Sequence, residues 1–115
     1  MKDATTNDLL DQLMKCIAAC ETCADSCLDE PNVKNMVNCI RLDRDCADAC
    51  TLAARYVARG SAHMNGALDL CIALCKACEK ECRSHTNDHC RTCAEACHAC
   101  HTACEVHTTT ATANA

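Results

Sequence analysis

Sixteen cysteines in a chain of 115 residues fall into four clusters. They are Cys16, Cys20, Cys23 and Cys27; Cys39, Cys46 and Cys50; Cys71, Cys75, Cys78 and Cys82; and Cys90, Cys93, Cys97, Cys100 and Cys104. Within a cluster the step is three or four residues, apart from the seven between Cys39 and Cys46. Thiols at such steps share one stripe of an α-helix, in the place a packed helix gives to leucine. Three chemistries use cysteine in quantity: cross-linking, metal binding through the thiolate, and nucleophilic catalysis. A nucleophile needs one thiol set apart by a basic neighbour or a helix N-terminus. Here the thiols are near-equivalent, which argues against an enzyme.

The elements that must position these thiols are helices, and the breaks between clusters punctuate them. Glu30-Pro31-Asn32 parts the first two clusters, with Pro31 suited to a first helical turn. Gly60-Ser61 parts the second and third, Gly60 as a left-handed stop and Ser61 as the following N-cap. His85-Thr86-Asn87-Asp88 parts the third and fourth, with Asn87 or Asp88 as the cap. The pattern predicts helices over 7–28, 32–59, 62–84 and 89–106, and a frayed tail over 107–115. Short connections between long helices favour antiparallel neighbours. The expected fold is therefore all-α, an up-down-up-down four-helix bundle with a Cys-lined core, forming one domain over 1–115.

Antiparallel packing then groups the seams into layers. Cys27, Cys39, Cys82 and Cys90 are expected near one end, and Cys16, Cys50, Cys71 and Cys104 near the other. Beyond the second end the stripe continues through Leu9, Leu13, Val57, Met64 and Leu68, an ordinary apolar plug. Counting Asp43 with the second cluster restores the four-three-four step of the first and third, so Asp43 occupies a seam position.

Composition excludes several functions. The net charge is -5 and there is one aromatic residue, a Tyr, which offers neither a basic surface nor a stacking platform for nucleic acid. No segment approaches the roughly 20 apolar residues of a membrane span. Residues 1–8 lack the apolar run of a signal peptide, so the expected location is cytoplasmic. Thiols stay reduced there, and many cysteines point to metal rather than to disulfides.

Charge distinguishes the candidate metals. Sixteen thiolates in Cys₄ zinc sites would make about four sites. Each would keep two negative charges, which is costly in a bundle with few buried cations. Iron–sulfur clusters usually sit in wrapping loops, which a continuous helical seam does not offer. Copper(I) is soft, prefers thiolate and accepts bridging sulfurs. At one copper per cysteine, on the order of 16 ions, the core is neutral. A zinc or other thiolate-metal binding or sensing protein and a disulfide-bonded helical scaffold stand as the alternatives.

The segment Asn38-Cys39-Ile40-Arg41-Leu42-Asp43-Arg44-Asp45-Cys46-Ala47-Asp48-Ala49-Cys50 and the Cys-x-x-x-Cys-x-x-Cys-x-x-x-Cys stripes around it resemble the bacterial copper storage proteins, over roughly residues 14–105. The N-terminus matches their cytosolic branch. The resemblance implies a homotetramer of four-helix bundles, each protomer filling its own core with Cu(I)–thiolate clusters for storage, detoxification or supply. Copper chaperones or chelators are the donors this implies.

Four other residues are candidate secondary ligands or guides. The resemblance extends to the His-x-x-x-His-Cys stretch of His85, His89 and Cys90, where such histidines border the copper entrance. Asp43 could accept hydrogen bonds, pair with Arg41 or Arg44, or bind as a minor hard ligand. Met36, one turn before Cys39, offers a thioether or plain packing. His98 and His101 lie off the seam and are expected to be exposed, and His63 and His107 belong to the opposite end. Glu79 is expected on a solvated face, paired with Arg83.

Overall fold

The computed structural model describes residues 3–113. Four helices follow one another: α1 over Ala4–Leu28, α2 over Val37–Ala58, α3 over Met64–Arg83 and α4 over Asp88–Ala113. Each packs against its two neighbours, α1 on α2 and α4, and α3 on α2 and α4, with the diagonal pairs apart. With such short connections this is the antiparallel four-helix bundle that the periodicity predicts. The body measures 49 × 21 × 20 Å.

Local chemistry sets the helix ends, and here the structure departs from the expected bounds. Asp3 caps α1, its Oδ1 accepting from the Thr6 amide at 2.8 Å, so the helix starts three residues earlier than expected. Pro31 does not open α2; it lies in a turn, and the Asn35 amide donates to the Asn32 carbonyl at 2.8 Å to wind a short 3-10 helix over Val33–Met36. Gly60 is the left-handed stop, at φ 62. The Ser61 amide reaches the Tyr56 carbonyl and the Gly60 amide the Val57 carbonyl, the paired bonds of a Schellman ending. Ser61 does not cap α3. Its hydroxyl accepts from the His63 amide at 3.0 Å, closing a turn, and α3 begins at Met64. Asn87 stands at the start of α4, its carbonyl accepting from the Arg91 amide. The expected fraying of 107–115 is not seen over its described part: α4 continues to Ala113, and residues 114 and 115 lie outside the described residues.

Along the axis all sixteen cysteines are fully buried, and none is in a disulfide. Leu9, Leu13, Val57 and Leu68 are buried at the far end, with Met64 packed against them partly covered. Thiols thus fill the place of aliphatic side chains over most of the length, and leucines close one end.

Candidate metal centre

Over the stretch from Cys16 to Cys104 nearly every turn delivers a thiol to the axis, with Asp43 taking one such position on α2, so the sulfurs form a continuous set. The Sγ–Sγ separations run from 3.4 Å for Cys46–Cys75 through 3.6 Å for Cys50–Cys71 and 3.7 Å for Cys39–Cys82 to 4.0 Å for Cys16–Cys75. Sulfurs about 2.3 Å from a common ion stand about 3.8 Å apart in a tetrahedron and about 4.0 Å apart in a triangle. The core is therefore spaced for a soft ion shared between thiolates.

Quartets of sulfur close enough to hold one ion include Cys23, Cys27, Cys39 and Cys90; Cys20, Cys78, Cys93 and Cys97; Cys16, Cys20, Cys46 and Cys97; Cys16, Cys46, Cys50 and Cys75; and Cys50, Cys71, Cys75 and Cys100. The last four share members: Cys20 and Cys97 join the second to the third, Cys16 and Cys46 the third to the fourth, Cys50 and Cys75 the fourth to the fifth. Independent Cys₄ sites would be disjoint, whereas shared sulfurs are what bridging thiolates need.

The layers run into one another along the axis. Cys39–Cys82 and Cys50–Cys71 face each other as anticipated, Cys27 groups with Cys39 and Cys90, and Cys16 with Cys50. Cys23 also reaches Cys39, at 3.9 Å, and Cys16 also reaches Cys46, at 3.9 Å. On α4 it is Cys100, one turn before the expected Cys104, that meets Cys50, at 3.9 Å.

Asp43 is the one fully buried carboxylate among the described residues. Its Oδ1 accepts from Cys78 at 3.1 Å, Cys93 at 3.2 Å and Cys82 at 3.7 Å, and its Oδ2 from Cys39 at 3.7 Å. Thiols, not Arg41 or Arg44, surround it. Burial, reinforced by the neighbouring Cys93 and Cys78, pushes its carboxyl up to about 11. Between the ordinary carboxylate range and that value the unfolded chain is ionised and the folded one protonated. Apo stability from this group is therefore complete below the ordinary range and is lost as pH rises through the window. The reduced apo Asp43→Asn variant is expected to melt about 5 °C above the wild type near pH 8 and together with it near pH 4. Anaerobic thermal melts at the two pH values check this; an unchanged difference would refute it.

The end of the core opposite the leucines is built by Cys23, Cys27, Cys39, Cys82 and Cys90, all fully buried. Burial pushes the Cys90 thiol up to about 12 and Cys27 also upward, with Cys39 adding to both. Cys39 moves the other way, down to about 3, drawn by hydrogen bonds from Cys23 and Cys82. Of the two predicted histidines, His89 alone reaches sulfur: its Nδ1 lies 3.3 Å from Cys23 Sγ and 3.6 Å from Cys90 Sγ. Its Nε2 is held by Glu30 at 2.9 Å, the carboxylate–histidine pairing that orients a metal-binding imidazole. Glu30, in the turn after α1, is a part of the site that sequence reading missed. His85 turns instead to Glu81, Nε2 to Oε2 at 2.8 Å. Met36 is fully buried in the core beside α2.

Two expectations for the outer face are corrected. His101 is not exposed: only 8% of its surface is open, because Glu79 and Glu105 hold both of its ring nitrogens. The side chain of Glu79, at 15% exposure, is likewise largely covered, although its pair with Arg83 is present at 2.7 Å. His98 is exposed as anticipated.

A four-helix bundle whose axis is a run of shared thiolate quartets defines a polynuclear soft-metal-binding protein. The copper storage protein family profile matches residues 2–109, and the chain belongs to that family. It is 40% identical over 82 residues to the uncharacterized cysteine-rich protein YhjQ of Bacillus subtilis, spanning 71% of this chain and 76% of that one. Among solved structures it resembles the copper storage protein Ccsp of Streptomyces lividans loaded with 10 copper equivalents. That match has a TM-score of 0.85 and 39% identity, covering 88% of this chain and 81% of the other. It also resembles Cu(I)-bound BsCsp3, with a TM-score of 0.85, 37% identity, and coverage of 89% and 96%.

Proposed function

We propose that this protein stores Cu(I) in the cytosol, taking up many ions as clusters bridged by its sixteen cysteines and so limiting free copper. The observation that carries the reading is the sharing of Cys16, Cys20, Cys46, Cys50, Cys75 and Cys97 between successive quartets. With each thiolate bridging, about one copper per sulfur neutralises the core. Family membership and copper-loaded relatives support the same assignment. The role is binding rather than catalysis, and residues 1–115 act as one domain within a homotetramer, the assembly that the family resemblance implies.

Copper is received at the end of the core opposite the leucines. Cys39, which meets Cys23, Cys82 and Cys90 there, takes the incoming ion, with His89 as an auxiliary nitrogen ligand fixed by Glu30. Asp43 stands one level in, where its oxygens suit a positioning role better than durable Cu(I) ligation. Met36 serves as packing, and His85 as a polar rim. Copper chaperones or small chelators supply and collect the ion.

Anaerobic Cu(I) titration of the fully reduced protein against a chromophoric chelator tests the proposal. Tight uptake is expected to continue to about one ion per thiol, on the order of 16. Saturation at one or two ions, or at about four with zinc preferred, would replace storage by a carrier or zinc protein.

A further inference from the structure

The thiol core leaves one cluster of ligating side chains unused, on the outer face where α3 and α4 meet. We infer that His98, His101 and Glu79 form a second metal site, for a single borderline divalent cation of the Zn(II) kind, separate from the sulfur core. The two histidines are three residues apart on α4 and so are neighbours on one helical face. Their rings meet edge to face, centroids 5.1 Å apart and 80° between planes. Glu79 comes across from α3. Its Oε1 lies 2.7 Å from His101 Nε2 and 3.4 Å from His98 Nδ1, while its Oε2 lies 3.2 Å from the same His98 nitrogen.

Ligand atoms about 2.0–2.1 Å from a tetrahedral zinc stand about 3.3 Å apart, which the two His98–Glu79 separations match. The 2.7 Å hydrogen bond between His101 and Glu79 must open by about 0.6 Å, through a small rotation of the Glu79 carboxylate, to admit the ion. The second ring nitrogen of His101 is already held: Nδ1 faces Glu105 Oε1 at 3.1 Å, and Lys76 in turn holds that oxygen at 3.2 Å. A carboxylate on the far nitrogen orients the ring, and a metal at the site takes the place of the proton that Nε2 shares with Glu79. Two imidazoles and a carboxylate suit zinc, whereas Cu(I) favours the sulfurs inside. Three protein ligands leave the fourth position to water on the open side of His98.

Arg83 is the competitor. It binds Glu79 Oε2 through Nη2 at 2.7 Å and Nε at 2.8 Å, but its side chain is half exposed and free to leave. A metal at this site therefore works against the Arg83 pair, which a purely structural ion-pair network would not do.

The test uses the Cu(I)-saturated protein, whose thiols are occupied. It is dialysed anaerobically against buffered Zn(II), and both metals are counted in the same sample. About one zinc per chain is expected to remain. His98→Ala and Glu79→Gln are each expected to weaken retention tenfold or more with copper content unchanged, and Arg83→Ala to strengthen it. No zinc on the copper-filled protein, or equal retention by His98→Ala, overturns the inference. Unchanged copper content in each variant shows that the fold is intact and keeps this result distinct from any failure of copper storage itself.

Discussion

Saturating the reduced protein with Cu(I) is expected to raise its melting temperature by tens of degrees. The apo core contains few large aliphatic side chains, Leu9, Leu13, Val57, Leu68 and Met36 being the fully buried ones. Each contributes roughly 1.5–3 kcal/mol, and thiols and alanines supply the remainder with smaller surfaces. Copper adds cross-links between all four helices at many levels. A ligand that binds only the folded form stabilises it by about 4 kcal/mol per site at 1,000 times its Kd. A change of 1 kcal/mol moves the melting point of a domain of this size by several degrees, on the order of 4 °C. Several filled sites therefore exceed the effect of any single side chain. The gain should shrink in acid, because the ion must displace protons from thiols such as Cys90 and Cys27, which burial holds protonated. Anaerobic far-UV dichroism melts of the apo and loaded forms decide the matter, and coincident curves would contradict it.

The second large effect concerns the closed end. Leu68→Ala is expected to cost the apo protein about 2–5 kcal/mol, a sizeable share of the 5–15 kcal/mol typical of a folded domain. Leu68 is fully buried with Leu9, Leu13 and Val57, and no metal compensates for a cavity among them. Apo Leu68→Ala should lose much of its helical signal at moderate urea concentrations where the wild type stays folded, and Cu(I) should restore it. Leu70→Ala, on the same helix but 48% exposed, should stay within about 0.5 kcal/mol of the wild type. A Leu68→Ala midpoint equal to that of wild type would mean that the leucine plug does not support the apo fold.

Much of this architecture is legible in the cysteine spacing. A seam sustained at three and four residues permits one buried face per helix, and four such seams with short gaps permit little besides a bundle. Asp43 stands out because it interrupts that seam. The level of each thiol on α4 is less legible, because a stripe of thiols one turn apart looks the same after sliding by a turn, and Cys100 rather than Cys104 meets Cys50. Glu30 escaped notice for a related reason: it meets His89 across 59 residues of sequence, from a turn with no periodicity to read. His101 looked exposed because it is off the thiol seam, yet the groove beside α3 covers it and Glu79 together. Ser61 and Pro31 were plausible helix starters whose local turns took precedence.

If the core stores Cu(I) as proposed, the leucines at one end also set an order of traffic. Ions would enter at Cys23, Cys27, Cys39, Cys82 and Cys90 and meet a wall at Leu9, Leu13, Val57 and Leu68. Between them shared sulfurs would permit movement by exchanging one ligand at a time. A vessel with a single opening empties from the top: ions nearest His89 would leave first, and those lodged against the leucines would stay longest. One protein would thus hold two stocks of the same metal, a labile one near His89 and a durable one at the base.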